Sequence, residues 1–297
     1  MQLVLKFVFG ISAFCFGWGC SGEKGEQWIL ACGEDRVLMI DPAASEGEKA
    51  HIVWQWQVSD CASQIPEIFL RQLPSVDECK PVEGNRKILI TGGAAVVMLE
   101  RETKKCLFYA HTPNSHSAEL LPNNRIAVAL SIAEGGNSLR LYDADKSDRI
   151  LFKDSLYSGH GVVWIPERER LYALGFDELR EYSLKNWDTE SPALQLERMW
   201  RLPEDDGHDL SRVSKDRLLV TTARDVYRFD LVQERFTPFE PLQGVAEVKS
   251  VNCHETTGQL VYTKAEESWW THHIYQKQPD RTLTLPDIRL YKARLMK

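Results

Sequence analysis

Positive charge is in short supply: 36 Lys and Arg stand against 43 Asp and Glu, for a formal net charge of −7. No basic field exists to collect a phosphate backbone, so nucleic acid is not an expected partner. Cysteine never occurs as CxxC, and the close ligand spacing of zinc ribbons and thiol redox motifs is missing with it. GxSxG, HExxH, the Walker A pattern and the EF-hand loop are also absent, which removes the enzyme classes that those motifs define. Beyond residue 19 no long segment carries a helical period, so a helical fold is excluded.

The one long apolar run is residues 2–19, QLVLKFVFGISAFCFGWG, whose single charge is Lys6 and which ends at Gly19-Cys20. It reads as a secretory signal. A small residue followed by Cys and the polar run Ser21 to Gln27 resembles a bacterial lipoprotein cleavage site, where lipid is attached to the new N-terminal Cys20. The expected organisation is a lipoprotein-type signal peptide over residues 1–19, a polar linker over 20–27 and a single domain over 28–297. An uncleaved N-terminal anchor helix is the alternative, and both readings put the globular part outside the cytoplasm; the first makes it a cell-envelope, outer-membrane lipoprotein.

Five cysteines follow Cys20, namely Cys32, Cys61, Cys79, Cys106 and Cys253. An odd count in an exported chain leaves at least one thiol unpaired. A Cys61–Cys79 bridge would close the insertion at residues 59–76, whereas apolar filler in strands accounts for most of these side chains.

What is abundant is strand pattern. With 43% apolar residues, nine Trp, eleven Phe and nine Tyr, the composition suits a soluble, sheet-rich core. One pentapeptide shape, exemplified by Val37-Leu38-Met39-Ile40-Asp41, recurs at residues 96–100, 139–143, 179–183, 226–230 and, weakly, 272–276. A period of roughly 40–50 residues with strand content is the mark of a β-propeller blade. Six copies predict an all-β, six-bladed β-propeller, a monomer. Blade 1 lacks an innermost strand on its N-terminal side, and the alternating residues 288–295 are predicted to supply it and close the ring. The single large insertion, residues 59–76, contains Pro66 ahead of Glu67 to Arg71 and is predicted to form a short helix capping the ring.

A second recurrence bears on function. His116, His160 and His208 each follow a small residue, open an apolar strand and precede a turn, after which the next strand starts at Ile126, Leu171 and Leu218. Equivalent places in a ring face one axis, so the three side chains are predicted to converge on the channel mouth. The same column falls on Asp77 or Glu78 in blade 2 and on Lys249 in blade 6. Three imidazoles meeting at a point would hold a divalent metal. Without metal they would move protons, with carboxylates orienting them and Lys249 holding an anion. The bland alternative is a His that staples each blade to its neighbour, but the three local contexts differ and suit an asymmetric pocket better. Trp54 and Trp56 share one face and read as inter-blade packing, and Trp269-Trp270 reads as core packing on the third strand of blade 6. His272 and His273 face opposite sides of a strand and cannot serve one site.

The motifs Asn114 to Pro122, His160-Gly161-Val162-Val163-Trp164, Gly207-His208-Asp209-Leu210, Val248-Lys249-Ser250 and Trp269-Trp270 resemble an uncharacterised family of exported six-bladed propeller proteins. That resemblance implies fold and location and no activity. A looser similarity, in architecture and channel-mouth His, is to the metal-dependent oligogalacturonate lyase propellers, and it is an analogy of fold. Three functions follow as expectations. The first is a lipid-anchored module binding a small polar or carbohydrate ligand at the channel mouth through Asp77, His116, His160, His208 and Lys249. The second is a metal-dependent lyase or hydrolase on acidic sugars, with the three His as ligands, Lys249 on the carboxylate and Glu119 or Asp209 as base. The third is a protein-interaction scaffold.

Overall fold

The computed structural model describes residues 27–296, so the apolar leader and Cys20 lie outside the described residues. Blade 1 begins with β1 (Ile29–Gly33), β2 (Arg36–Ile40) and β3 (Ile52–Gln57). Blade 2 comprises β4 (Glu78–Val82), β5 (Lys87–Gly92), β6 (Ala95–Glu100) and β7 (Cys106–His111). Blade 3 comprises β8 (Ser115–Leu121), β9 (Arg125–Leu130), β10 (Ser138–Asp143) and β11 (Ile150–Ser155). Blade 4 runs through β12 (Gly161–Ile165), β13 (Arg170–Leu174), β14 (Glu178–Lys185) and β15 (Ala193–Arg201). Blade 5 holds β16 (Asp209–Ser214), β17 (Arg217–Thr221), β18 (Val226–Asp230) and β19 (Arg235–Pro238). Blade 6 holds β20 (Val248–Cys253), β21 (Leu260–Lys264), β22 (His273–Lys277) and β23 (Arg281–Thr284), and the chain ends with β24 (Lys292–Leu295).

Six four-stranded antiparallel sheets result, arranged as a six-bladed β-propeller. Their innermost strands touch in the cyclic order β24, β4, β8, β12, β16, β20 and back to β24. The recurring pentapeptide is the third strand of every blade, β2, β6, β10, β14, β18 and β22. Those strands are apolar because neighbouring blades cover both sheet faces. Each blade junction holds its own hydrophobic cluster, such as Leu30, Trp56, Cys79 and Ile88 between blades 1 and 2. Trp56 is fully buried there with Trp54 packed against the same cluster, the inter-blade role expected of both.

The C-terminal strand closes blade 1 as its alternation predicts. β24 pairs antiparallel with β1, Ile29 opposite Leu295 and Cys32 opposite Lys292. It is shorter than residues 288–295 because Leu290 pairs instead with Thr271 of blade 6. The approach is tight: a Cβ on Gly33 would lie 1.9 Å from the Arg289 carbonyl oxygen, so only glycine lets the closing segment cross here.

The insertion forms a 3-10 turn (Val58–Cys61) and α1 (Glu67–Arg71), with Pro66 at the N-cap. Phe69 and Leu70 pack on the blade 1–blade 2 cluster, so the helix covers that junction. The Cys61–Cys79 pairing is replaced: the thiol beside Cys61 belongs to Cys106, and the one beside Cys79 to Cys32. All five cysteines are free thiols.

Candidate functional site

Six side chains crown the innermost strands at equivalent places. The backbone N–H groups of Asp77, His160, His208 and Tyr291 donate to a carbonyl at the end of the adjacent strand, at Thr91, Leu174, Thr221 and Cys32, over 2.8–2.9 Å. His116 and Lys249 occupy the same place inside β-bulges, where the register of β8 against β9 shifts between Ser115 and Ser117 and that of β20 against β21 between Val248 and Ser250. A bulge re-aims a side chain that regular alternation would turn away. Asn114, in the left-handed region at φ 51°, makes the turn that delivers His116. The structure therefore brings the three histidines, Asp77 and Lys249 together and adds Tyr291, which the sequence reading missed because blade 1 borrows its innermost strand from the far end of the chain.

The rings stack instead of converging. His116 lies face to face with His160 at 4.4 Å between centroids, and His208 meets His160 edge-on at 5.4 Å. Imidazole lone pairs lie in the ring plane, so stacked rings do not aim them at one point. His160 Nδ1 is also engaged by the Ser158 carbonyl at 2.8 Å. Among the described residues no group of three or more His, Cys, Asp or Glu could hold a metal ion, and the expected His116–His160–His208 metal centre is corrected to an aromatic stack. The Nδ1 atoms of His116 and His208 are buried without a hydrogen-bond partner.

His208 Nε2 lies between the Lys249 ammonium at 3.0 Å and the Asp206 carboxylate at 3.2 Å. Lys249 Nζ donates to Glu247 at 2.9 Å and sits 4.9 Å from the centre of the Trp269 ring. Trp269 and Trp270 thus precede β22 rather than forming part of it, and they look toward the mouth: Trp270 is 5.7 Å from Tyr291. His272 and His273 part company as expected, one to the Leu285 carbonyl and the other to Glu266.

Burial and neighbouring positive groups set the protonation of the crown. Burial, then His160 and Lys292, push His116 well below the usual imidazole range, and burial with His208 pushes His160 down to about 3. Burial raises Asp77 to about 7 against a weak opposing hydrogen bond from the Gly93 N–H. The hydrogen bond from His208 lowers Asp206.

Beneath the crown an ionic plug crosses the channel. Arg294 forks onto both Glu78 oxygens at 2.8 and 2.5 Å and onto both Asp209 oxygens at 2.7 and 2.6 Å. Lys292 Nζ reaches Asp209 at 3.1 Å, Glu78 at 3.7 Å and the His116 carbonyl at 3.2 Å. Burial would raise Asp209, but Arg294 and Lys292 overcome it and hold this carboxylate far below its ordinary range. Asp209 is therefore a locked counter-ion, which corrects its assignment as a base at the mouth. Glu119 is corrected too: it pairs with Lys80 at 3.1 Å on the other side of the plug. There, with Trp164, Arg212, Asn252 and Arg294, the two line a cavity of about 410 Å³. The sequence offers Glu78 only as the alternative to Asp77 in the blade 2 column and does not single out Arg294, since nothing local links residues on blades 1, 2 and 5.

Two outcomes follow. Arg294→Met leaves two buried carboxylates with Lys292 alone, and urea unfolding should show a loss of about 3–5 kcal/mol; a loss under ~1 kcal/mol would mean that the plug is not a stabilising unit. The second concerns pH. His116 and His160 stay neutral in the fold and protonate when unfolded, so their contribution rises with pH from about 3 to 6.5. Asp77 works the other way, binding its proton more tightly folded until pH reaches about 7. Asp77→Asn should therefore steepen the rise in stability over that window by about 1.4 kcal/mol per pH unit. Parallel urea profiles of variant and parent between those pH values would exclude it.

Comparison with known proteins agrees with this architecture. A nidogen/laminin complex structure contains a chain that superposes with a TM-score of 0.61 at 11% identity, over 91% of this chain and 98% of that one. A functionally unknown protein from Desulfotomaculum acetoxidans DSM 771 superposes with a TM-score of 0.52 at 10% identity, over 88% and 83%. At such identities the likeness is one of fold. No curated protein matches the chain. Residues 25–297 match a family profile along nearly the whole length, and the protein belongs to the Family of unknown function (DUF6528).

Proposed function

We propose that this propeller is a binding module that takes a small, hydroxyl-rich ligand of the carbohydrate class at the histidine end of its channel. The observation that carries the reading is the contrast between what is accessible there and what is not. Trp269 is 57% exposed, and the side chains of Asp206 and Glu247 are 42% and 48% exposed. Lys249, which contacts Trp269, Glu247 and His208, is 1% exposed. A ligand arriving from solvent meets an indole face and two carboxylates, while the cation beneath only orients them.

Carboxylates accept hydrogen bonds from hydroxyl groups, and the free indole face suits the C–H surface of a sugar ring. An anionic ligand would meet Asp206 and Glu247 first and be repelled. The electrostatics thus favour a neutral sugar over an acidic one. Export with a lipid anchor on Cys20 belongs to the same proposal and rests on the apolar residues 2–19 and the Gly19-Cys20 junction.

Calorimetric titration against a panel of neutral mono- and disaccharides and their acid counterparts tests the ligand. Neutral sugars should bind, and Trp269→Ala should weaken them about tenfold. No binding across the panel, or acids binding more tightly than neutrals, would sink the reading. For the anchor, Cys20→Ser should shift the protein from the membrane to the soluble envelope fraction; unchanged fractionation would refute it.

A further inference from the structure

The five cysteines among the described residues fall into two neighbouring pairs and one single thiol. Cys32, Cys61, Cys79 and Cys106 all contribute to the hydrophobic cluster between blades 1 and 2, whereas Cys253 stands on blade 6. Within the cluster the Cys61 and Cys106 thiols are hydrogen-bond neighbours, as are those of Cys79 and Cys32.

The two pairs differ in how they are held and reached. Residues flanking Cys61 are tied to residues flanking Cys106: Asp60 pairs with Lys104 at 3.1 Å, the Gln64 amide oxygen accepts from the Cys106 N–H at 2.8 Å, and the Gln64 amide nitrogen donates to the Lys104 carbonyl at 3.3 Å. These contacts dock the insertion on the start of β7 and hold Cys61 beside Cys106, whose thiol donates to the Phe108 carbonyl at 3.3 Å. Cys106 is partly exposed, whereas Cys61, Cys32 and Cys79 are all completely buried. Of these four sulfurs only that of Cys106 can meet a reagent without unfolding of the junction.

We propose that Cys61 and Cys106 are the protein's oxidisable thiol pair and join as an intramolecular disulfide when a small disulfide oxidant is present. Cys106, the exposed member of the pair, attacks one sulfur of the oxidant as its proton passes to the neighbouring Cys61 sulfur, and the other half of the oxidant departs as a thiolate. The Cys61 thiolate then attacks the Cys106 sulfur of the mixed disulfide, also losing its proton, and expels the second half. Two protein thiols are oxidised to one disulfide, and the oxidant takes up both electrons as two thiols. The bond would staple the insertion to blade 2 and restrict the unfolded chain across a long loop.

The test uses reduced full-length protein incubated with oxidised glutathione, alkylated with iodoacetamide and digested without reduction for mass spectrometry. A linked pair of peptides carrying Cys61 and Cys106 should appear, with Cys32 and Cys79 alkylated only after denaturation. The oxidised protein should melt several degrees higher than the reduced one. Cys106→Ser should abolish both the linked peptide and the difference in melting temperature, while its far-ultraviolet circular dichroism stays that of the parent. Recovery of Cys61 and Cys106 as separately alkylated peptides after oxidation overturns the proposal, and so does a Cys61–Cys79 link.

Discussion

Two basic residues of the last strand, Lys292 and Arg294, are clamped between Glu78 of blade 2 and Asp209 of blade 5, and the ring depends on this clamp. Blades 2 and 5 face each other across the channel in the cyclic order of innermost strands. Arg294 therefore spans the bore and ties blade 1 to both. Taking four charges out of water is costly, and only a fork that satisfies every carboxylate oxygen makes the cost bearable. The balance is specific: two cations meet two anions, and Asp209 gains a further hydrogen bond from the Val251 N–H. The closing strand is thus registered by charge as well as by its ladder to β1. A slip of one residue would turn both cations out of the channel.

The same clamp shapes the chemistry of the crown above it. Lys292 holds the His116 carbonyl, and its charge helps to keep His116 and His160 neutral. Neutral rings can stack at 4.4 Å, which charged rings would resist. The mouth consequently presents its acids, Asp206 and Glu247, and an indole to solvent, with its cation hidden.

Much of the architecture was legible in the chain. The pentapeptide marks the third strand because both faces of that strand are covered, and a two-sided apolar run recurs wherever a blade does. Pro122-Asn123-Asn124 reads as a turn, and Asn123 and Asn124 both adopt positive φ there, at 57° and 52°. The column of His116, His160 and His208 could be found because strand spacing is conserved from blade to blade within one chain. Other features had no local signal. Tyr291 joins the crown only because the ring closes; Glu119 faces the opposite end because it is three residues further along β8 than His116; and Cys61 finds Cys106 through a fold of the insertion that no spacing encodes.

The number of blades, their order and the closure of blade 1 by the C-terminal strand were determined by the sequence itself, since alternation and period are local properties that survive any choice of partners. Which side chains are charged, paired or within reach was decided by the tertiary structure alone. Asp209 and Glu119 are ordinary carboxylates until Arg294 and Lys80 arrive from distant strands, and three histidines are potential ligands until packing turns their faces, rather than their lone pairs, toward one another. Those outcomes depend on distances across the channel, which the linear order of residues does not contain.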